Sequence, residues 1–223
     1  MKTFQFAFLL IMLLNCSVIS AQTETELLIL NKKYDEALSK IDVEIAVNPD
    51  AMNYFRKGQI LSFQQKYSEA ITAFLTAGQL NPQSPEIFVE IAECYAVIGN
   101  YKEAKEYFEK ALQSQPENTV LKAKSGRNYI NLKDFKKAYS CFSEIYANDS
   151  SNIYWNKQLA FCAYRVGKRK QAVDLYTKVL ERNPRDYSTY LNLAKSFEKG
   201  KEDSLIISTF QKAIEQFHDD SEL

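Results

Sequence analysis

The chain has 223 residues, with 28 acidic and 28 basic side chains and a single histidine. That balance leaves no net field to draw the molecule to nucleic acid or to an anionic bilayer. Six glycines and five prolines are too few for an all-β protein of many tight turns, whereas plentiful Leu, Ala, Glu and Lys favour helix.

Residues 1–21 read as a secretory signal peptide. Lys2 gives a positive start, Phe4 to Leu14 is apolar except for Gln5, and a polar stretch from Asn15 to Ser20 leads to small Ala21. The apolar run is short for a bilayer span. Cleavage after Ala21 is the reading adopted; retention as an anchor and lipidation at Cys16 are the alternatives, although Asn15 fits a bacterial lipobox poorly. No second run of membrane-spanning length follows, so the exported chain is expected to be soluble, in a periplasm or secreted. Cys94, Cys141 and Cys162 then remain, an odd number with no zinc-site spacing. They read as small buried hydrophobes, with a Cys141–Cys162 bridge as the alternative in an oxidising compartment.

After the signal the sequence repeats. Ala37, Ala70, Ala104, Ala138 and Ala172 lie 33, 34, 34 and 34 residues apart. An aromatic stands three residues before the first four: Tyr34, Tyr67, Tyr101 and Phe135. Four residues after each alanine stands a large side chain, Ile41, Phe74, Phe108, Phe142 and Tyr176, and the interval continues to Ile206 and Phe210. Asn48-Pro49, Asn81-Pro82, Gln115-Pro116 and Asn183-Pro184 close units on the same period.

Each unit predicts two helices. From Pro85 to Ile98, Phe88, Ile91, Ala92 and Tyr95 form one face, and Gly99-Asn100 ends it as a left-handed cap would. A second amphipathic stretch from Tyr101 to about Ser114 carries Ala104, Phe108, Ala111 and Leu112, and Pro116 stops it. Helices this short are marginal alone, so stacking must stabilise them. Gly58, Ala92, Gly126, Ala160 and Ala194 on first helices are expected to face the alanine column, letting the backbones approach.

These columns resemble the tetratricopeptide repeat family over about residues 24 to 217. The resemblance implies an all-α solenoid, a right-handed superhelix of about six helix–turn–helix units (about 22–50, 51–84, 85–118, 119–152, 153–186 and 187–220), with first helices lining a concave groove. The departures are a short first helix, Thr25 to Asn31, Ser150 in place of proline, and Arg169 and Asp203 in place of the helix-start aromatic.

Nothing in the sequence carries a reaction. His218 sits in the tail, and there is no phosphate-cradling glycine loop, nucleophile elbow or His-x-x-x-His pair. No catalytic residue, cofactor or metal is expected. The fifth unit's first helix, however, has two stripes. Trp155, Leu159, Cys162 and Val166 should pack into the solenoid; Tyr154, Lys157, Phe161, Tyr164 and Arg165 form a second aromatic and basic face. A surface helix needs only one apolar face. With Arg127 and Asn131 before it and Lys195 and Lys199 after it, this face makes a half-groove suited to an acidic or C-terminal peptide segment. The competing reading is that these side chains pack sideways and snorkel. The N-terminal half differs, with Phe55, Gln59, Phe63, Val89 and Glu93. The Lys-then-Asn spacing with which some relatives clamp a terminal carboxylate is not reproduced, since Phe161 stands where the Asn should follow Lys157. The basic run Arg165, Lys168, Arg169 and Lys170 reads as a solvated turn, not a nucleic-acid site.

The sixth unit keeps an apolar outer face in Ile207, Phe210, Ile214 and Phe217. Terminal repeats usually present a polar face there, so a homodimer or partner contact through this edge is expected. The function that follows is a non-catalytic scaffold or adaptor in a cell envelope, holding a peptide or partner helix. The alternatives are a self-assembling structural component joined through the C-terminal edge and, more weakly supported, a carbohydrate- or lipid-handling accessory.

Overall fold

The computed structural model describes residues 24–198 and 200–217. The signal peptide, Cys16, Lys199 and His218 lie outside the described residues. Among those residues the chain is helical throughout, without a strand: α1 (24–30), α2 (Tyr34–Val47), α3 (Ala51–Phe63), α4 (Tyr67–Leu80), α5 (Pro85–Val97), α6 (Tyr101–Ser114), α7 (Thr119–Asn131), α8 (Phe135–Asn148), α9 (Ile153–Arg165), α10 (Arg169–Arg182), α11 (Tyr187–Ser196) and α12 (Asp203–Phe217). No described helix is long and apolar enough to cross a membrane. Odd-numbered helices are the first helices of the repeat and even-numbered ones the second.

Local chemistry sets the boundaries. Asp50, Asn118, Asn152 and Asp186 each accept a hydrogen bond from the backbone N–H three residues on, capping α3, α7, α9 and α11. Pro85 opens α5, where a missing N–H costs nothing. First and second helices are joined by a turn with one left-handed residue, Gly99 (φ 84°) or Gly167 (φ 85°). Lys32, Gln65 and Lys133 take the same conformation at φ 59°, 61° and 61° despite their side chains.

The helices gather into two compact units, Met1–Tyr107 and Phe108–Leu223, with the boundary inside α6. In the first, Ala37 and Ile41 of α2 pack with Ile60 of α3, while Ala70 and Phe74 of α4 share a core with Ile87 and Ile91 of α5. In the second, one core runs from Ala123 through Ala138, Phe142, Leu159, Ala172 and Tyr176 to Leu193 and Ala213. α4, α8 and α10 are thus each packed between their own first helix and the next.

Two details differ from the sequence reading. Gly58 and Gly126 have a ring as nearest neighbour, not an alanine: a Cβ on Gly58 would lie 2.5 Å from Phe74, and one on Gly126 would lie 2.9 Å from Phe142. The absent side chain makes room for the aromatic that plugs the space between helices. The Cys141–Cys162 bridge does not form, and Cys94, Cys141 and Cys162 are all free thiols. Burial pushes Cys141 up to about 11 and Cys162 up to about 12, so both stay protonated and packed.

Candidate interaction site on the second unit

In the second unit, α9 and α11 carry most of the residues singled out as a groove. The structure divides them into two groups.

Three are engaged within the chain. Lys157 Nζ donates to Asp186 Oδ2 and to Ser188 Oγ, both at 2.6 Å. Asp186 caps α11 and also accepts from Thr189 N–H and its hydroxyl. Burial works against ionisation of this carboxyl, but the donations from Lys157, Ser188 and Thr189 outweigh it and pull Asp186 down to about 2. Lys157 is therefore a strut between α9 and the start of α11. Phe161 packs edge-on against Phe135 of α8, with centroids 5.9 Å apart, and the Arg165 guanidinium lies 3.7 Å over the Phe135 ring. These three thus make contacts within the chain, with α8 and α11, of the kind that sideways packing describes.

The other described residues of the set are exposed or half-buried. Arg127 and Asn131 on α7 are exposed, as is Lys195 on α11. Tyr154 is exposed, its ring edge-on to Trp155, which in turn stacks on Phe142 of α8. Tyr164 is half-buried and forms one wall of a cavity of about 600 Å³. Leu191, Ala194 and Lys195 of α11 line another wall, Phe197 the end, and Asp203, Ile206, Ile207 and Phe210 of α12 the third. The groove and edge predicted separately thus meet here through Tyr164, Lys195, Ile207 and Phe210.

The cavity sits beside a shortened first helix. α11 has 10 residues where α3, α5, α7 and α9 each have 13. After Ser196, whose hydroxyl bonds back to the Asn192 carbonyl, Phe197 turns extended at φ −72°, ψ 152°. Arg169 holds that turn, donating to the Phe197 carbonyl at 3.3 Å while its guanidinium stands 5.8 Å from the Tyr164 ring centroid. Lys168 is also engaged, donating to Tyr139 Oη at 3.0 Å. The basic turn therefore includes structural clamps.

The sequence reading missed Leu191, Ala194, Phe197, Asp203 and Ile206 as lining residues. A signal was available: the 34-residue period carries Lys157 to Leu191 and Phe161 to Lys195, so α11 turns an apolar residue where α9 turns its strut.

Ile207 and Ile214 on α12 are 58% and 59% exposed and Phe210 is 38% exposed. Phe217 is covered in part by Tyr187, edge-on at 5.8 Å, and is not a bare member of that edge. Among the described residues no cluster of His, Cys, Asp and Glu could hold a metal ion.

The tetratricopeptide repeat family matches residues 53–84 and again residues 85–118. The chain is a tetratricopeptide repeat protein. Its fold is the all-α solenoid of that family. A TPR repeat-containing protein of Methanocaldococcus jannaschii, MJ1428, is 26% identical to this TPR protein over 193 residues, 82% of this chain and 34% of that one. The chain spans about a third or less of the length of the curated relatives it matches. Among solved structures, YrrB, described as a TPR protein with an unusual peptide-binding site, superposes with a TM-score of 0.72 at 23% identity, covering 80% of this chain and 93% of that one. A tetratricopeptide repeat protein from Parabacteroides merdae gives 0.72 at 16% identity, covering 87% and 78%. At such identities the likeness establishes the fold. TPR proteins are in general non-catalytic protein-interaction scaffolds.

Proposed function

We propose that this chain is an exported, non-catalytic adaptor of six repeats. Its first-helix face in the second unit holds an extended peptide or partner helix. The observation that carries this reading is the cavity of about 600 Å³ between α9, α11 and α12, walled by Tyr164, Leu191 and Phe210, with Lys195 on its rim. A pocket of mostly apolar lining with a single placed cation suits one large apolar side chain of a partner beside an acidic neighbour. Asp203 shares the lining and keeps its charge, with Oδ1 accepting from the Gly200 N–H at 2.8 Å, so the preference for an acidic neighbour rests on Lys195 together with the cations of the neighbouring first helices. Exposed Arg127 on α7 adds positive charge to the same set of first helices. YrrB, with its peptide-binding site on a similar fold, supports the reading by analogy of fold.

Screening a displayed peptide library against the purified protein tests the proposal. Enriched sequences should pair a large apolar residue with acidic neighbours, and Tyr164→Ala and Lys195→Glu should each weaken binding at least tenfold. Peptides that bind equally well to both variants would move the site elsewhere. For export, N-terminal sequencing should find Gln22 first; Met1, or a lipid on Cys16, would overturn that part.

A further inference from the structure

The columns of the repeat identify which faces are made to be covered. On second helices, the aromatic column is fully buried at Phe74, Phe142 and Tyr176, yet its last member, Phe210, is 38% exposed. The column eight residues beyond each alanine faces the next first helix, since a Cβ on Gly78 would lie 3.5 Å from Ile87 of α5. Leu180 in that column is 8% exposed, whereas Ile214, one period on, is 59% exposed.

First helices show the complementary column. Ile60 of α3 is fully buried with Ala37 and Ile41 of the preceding second helix, and Cys162 of α9 is fully buried in the core that holds Ala138 and Phe142 of α8. Cys94 and Ser196 continue the column at 3% and 1% exposure. Its first member, Leu27 of α1, is 56% exposed, while Leu28 and Ile29 beside it pack inward. Leu27 is the half of the interface that seats on a second helix; Ile207, Phe210 and Ile214 are the half that receives a first helix.

We propose that copies of this chain stack head to tail, with Leu27 of one copy seated on the Ile207, Phe210 and Ile214 face of α12 of another, continuing the interface that joins α2 to α3 and α8 to α9. A second copy is the occupant because it carries, still exposed, the counterpart that the repeat uses at the α2–α3 and α8–α9 junctions. The contact is heterologous, so assembly is open-ended unless it closes into a ring. The seat shares Ile207 and Phe210 with the cavity, so a bound peptide and a docked copy would compete there, but the test is made at Leu27 and Ile214, which do not line it.

Light scattering of the purified protein across a concentration series tests it, with far-UV circular dichroism as the check on folding. The wild type should grow in mean mass with concentration, while Leu27→Glu alone and Ile214→Glu alone should both stay monomeric. Leu27→Arg and Ile214→Lys serve as second versions if either variant loses helix. Mixing the two end variants should restore a one-to-one dimer that grows no further, because each retains one intact end. A wild type that stays monomeric to high micromolar concentration overturns the proposal. So does self-association of the Leu27 variants, which would mean that α12 pairs with α12.

Discussion

The Phe74 ring occupies the space that a side chain at Gly58 would need: a Cβ there would come within 2.5 Å of Cε1 and 2.6 Å of Cδ1. Phe74 is fully buried among Ile87 and Ile91 and cannot withdraw. Gly58→Ala should therefore lower stability despite alanine's better helix propensity. Overpacking costs about 1–3 kcal/mol against a propensity gain of about 1 kcal/mol. Urea titration should show a lower midpoint; an unchanged or raised midpoint would mean that the ring can shift.

Tyr176 places a hydroxyl in a column whose other members, from Phe74 to Phe142, are hydrocarbon, and among the described residues that fully buried oxygen has no hydrogen-bond partner. Burial, with Cys162 and Tyr164 nearby, pushes its ionisation well above the usual tyrosine value. Tyr176→Phe removes an unsatisfied polar group at nearly constant volume and should stabilise the protein by about 1 kcal/mol. A clear loss of stability in thermal unfolding would show that the hydroxyl has a partner.

The Lys157–Asp186 strut makes stability depend on acid. Asp186 has its folded pKa lowered to about 2, below the carboxylate's ordinary value of 3.8. Its contribution is thus present above pH 4 and is lost as pH falls from about 4 through about 2. Urea midpoints measured across that window should fall less steeply for Asp186→Asn than for the wild type. Equal slopes would mean that the carboxylate gains nothing from Lys157. At neutral pH Lys157→Ala should act on stability first, since it leaves Asp186 without its cation.

Gln65 and Lys133 hold left-handed backbone at φ 61° in the turns where other units have Gly99 and Gly167. A side chain in that conformation costs about 1–2 kcal/mol relative to glycine, partly offset by glycine's greater freedom when unfolded. Gln65→Gly and Lys133→Gly should each raise stability by about 0.5–1 kcal/mol in denaturant titration. A loss would show that hydrogen bonds such as Gln65 N–H to the Ser62 carbonyl already relieve the strain.

Periodicity alone determines a great deal here. The alanine and aromatic columns from Ala37 to Tyr176, the capping Asp50, Asn118 and Asn152, and the prolines after second helices set helix type, length and pairing, because each acts within a few residues of chain. That is why α6 runs from Tyr101 to Ser114 as its pattern requires.

Which outward stripe meets solvent and which meets protein was decided only in three dimensions. Lys157, Phe161 and Arg165 look like Tyr154 and Tyr164 on a helical wheel, but Asp186, 29 residues later, takes Lys157, and Phe135 takes the other two. The cavity depends on α11 stopping at Ser196 and on Arg169 reaching the Phe197 carbonyl, a contact 28 residues apart in sequence. A local pattern fixes the direction in which a side chain leaves its helix. Only the packing of neighbouring helices determines what waits there, and so whether an aromatic or a cation is bound within the fold or left for a partner.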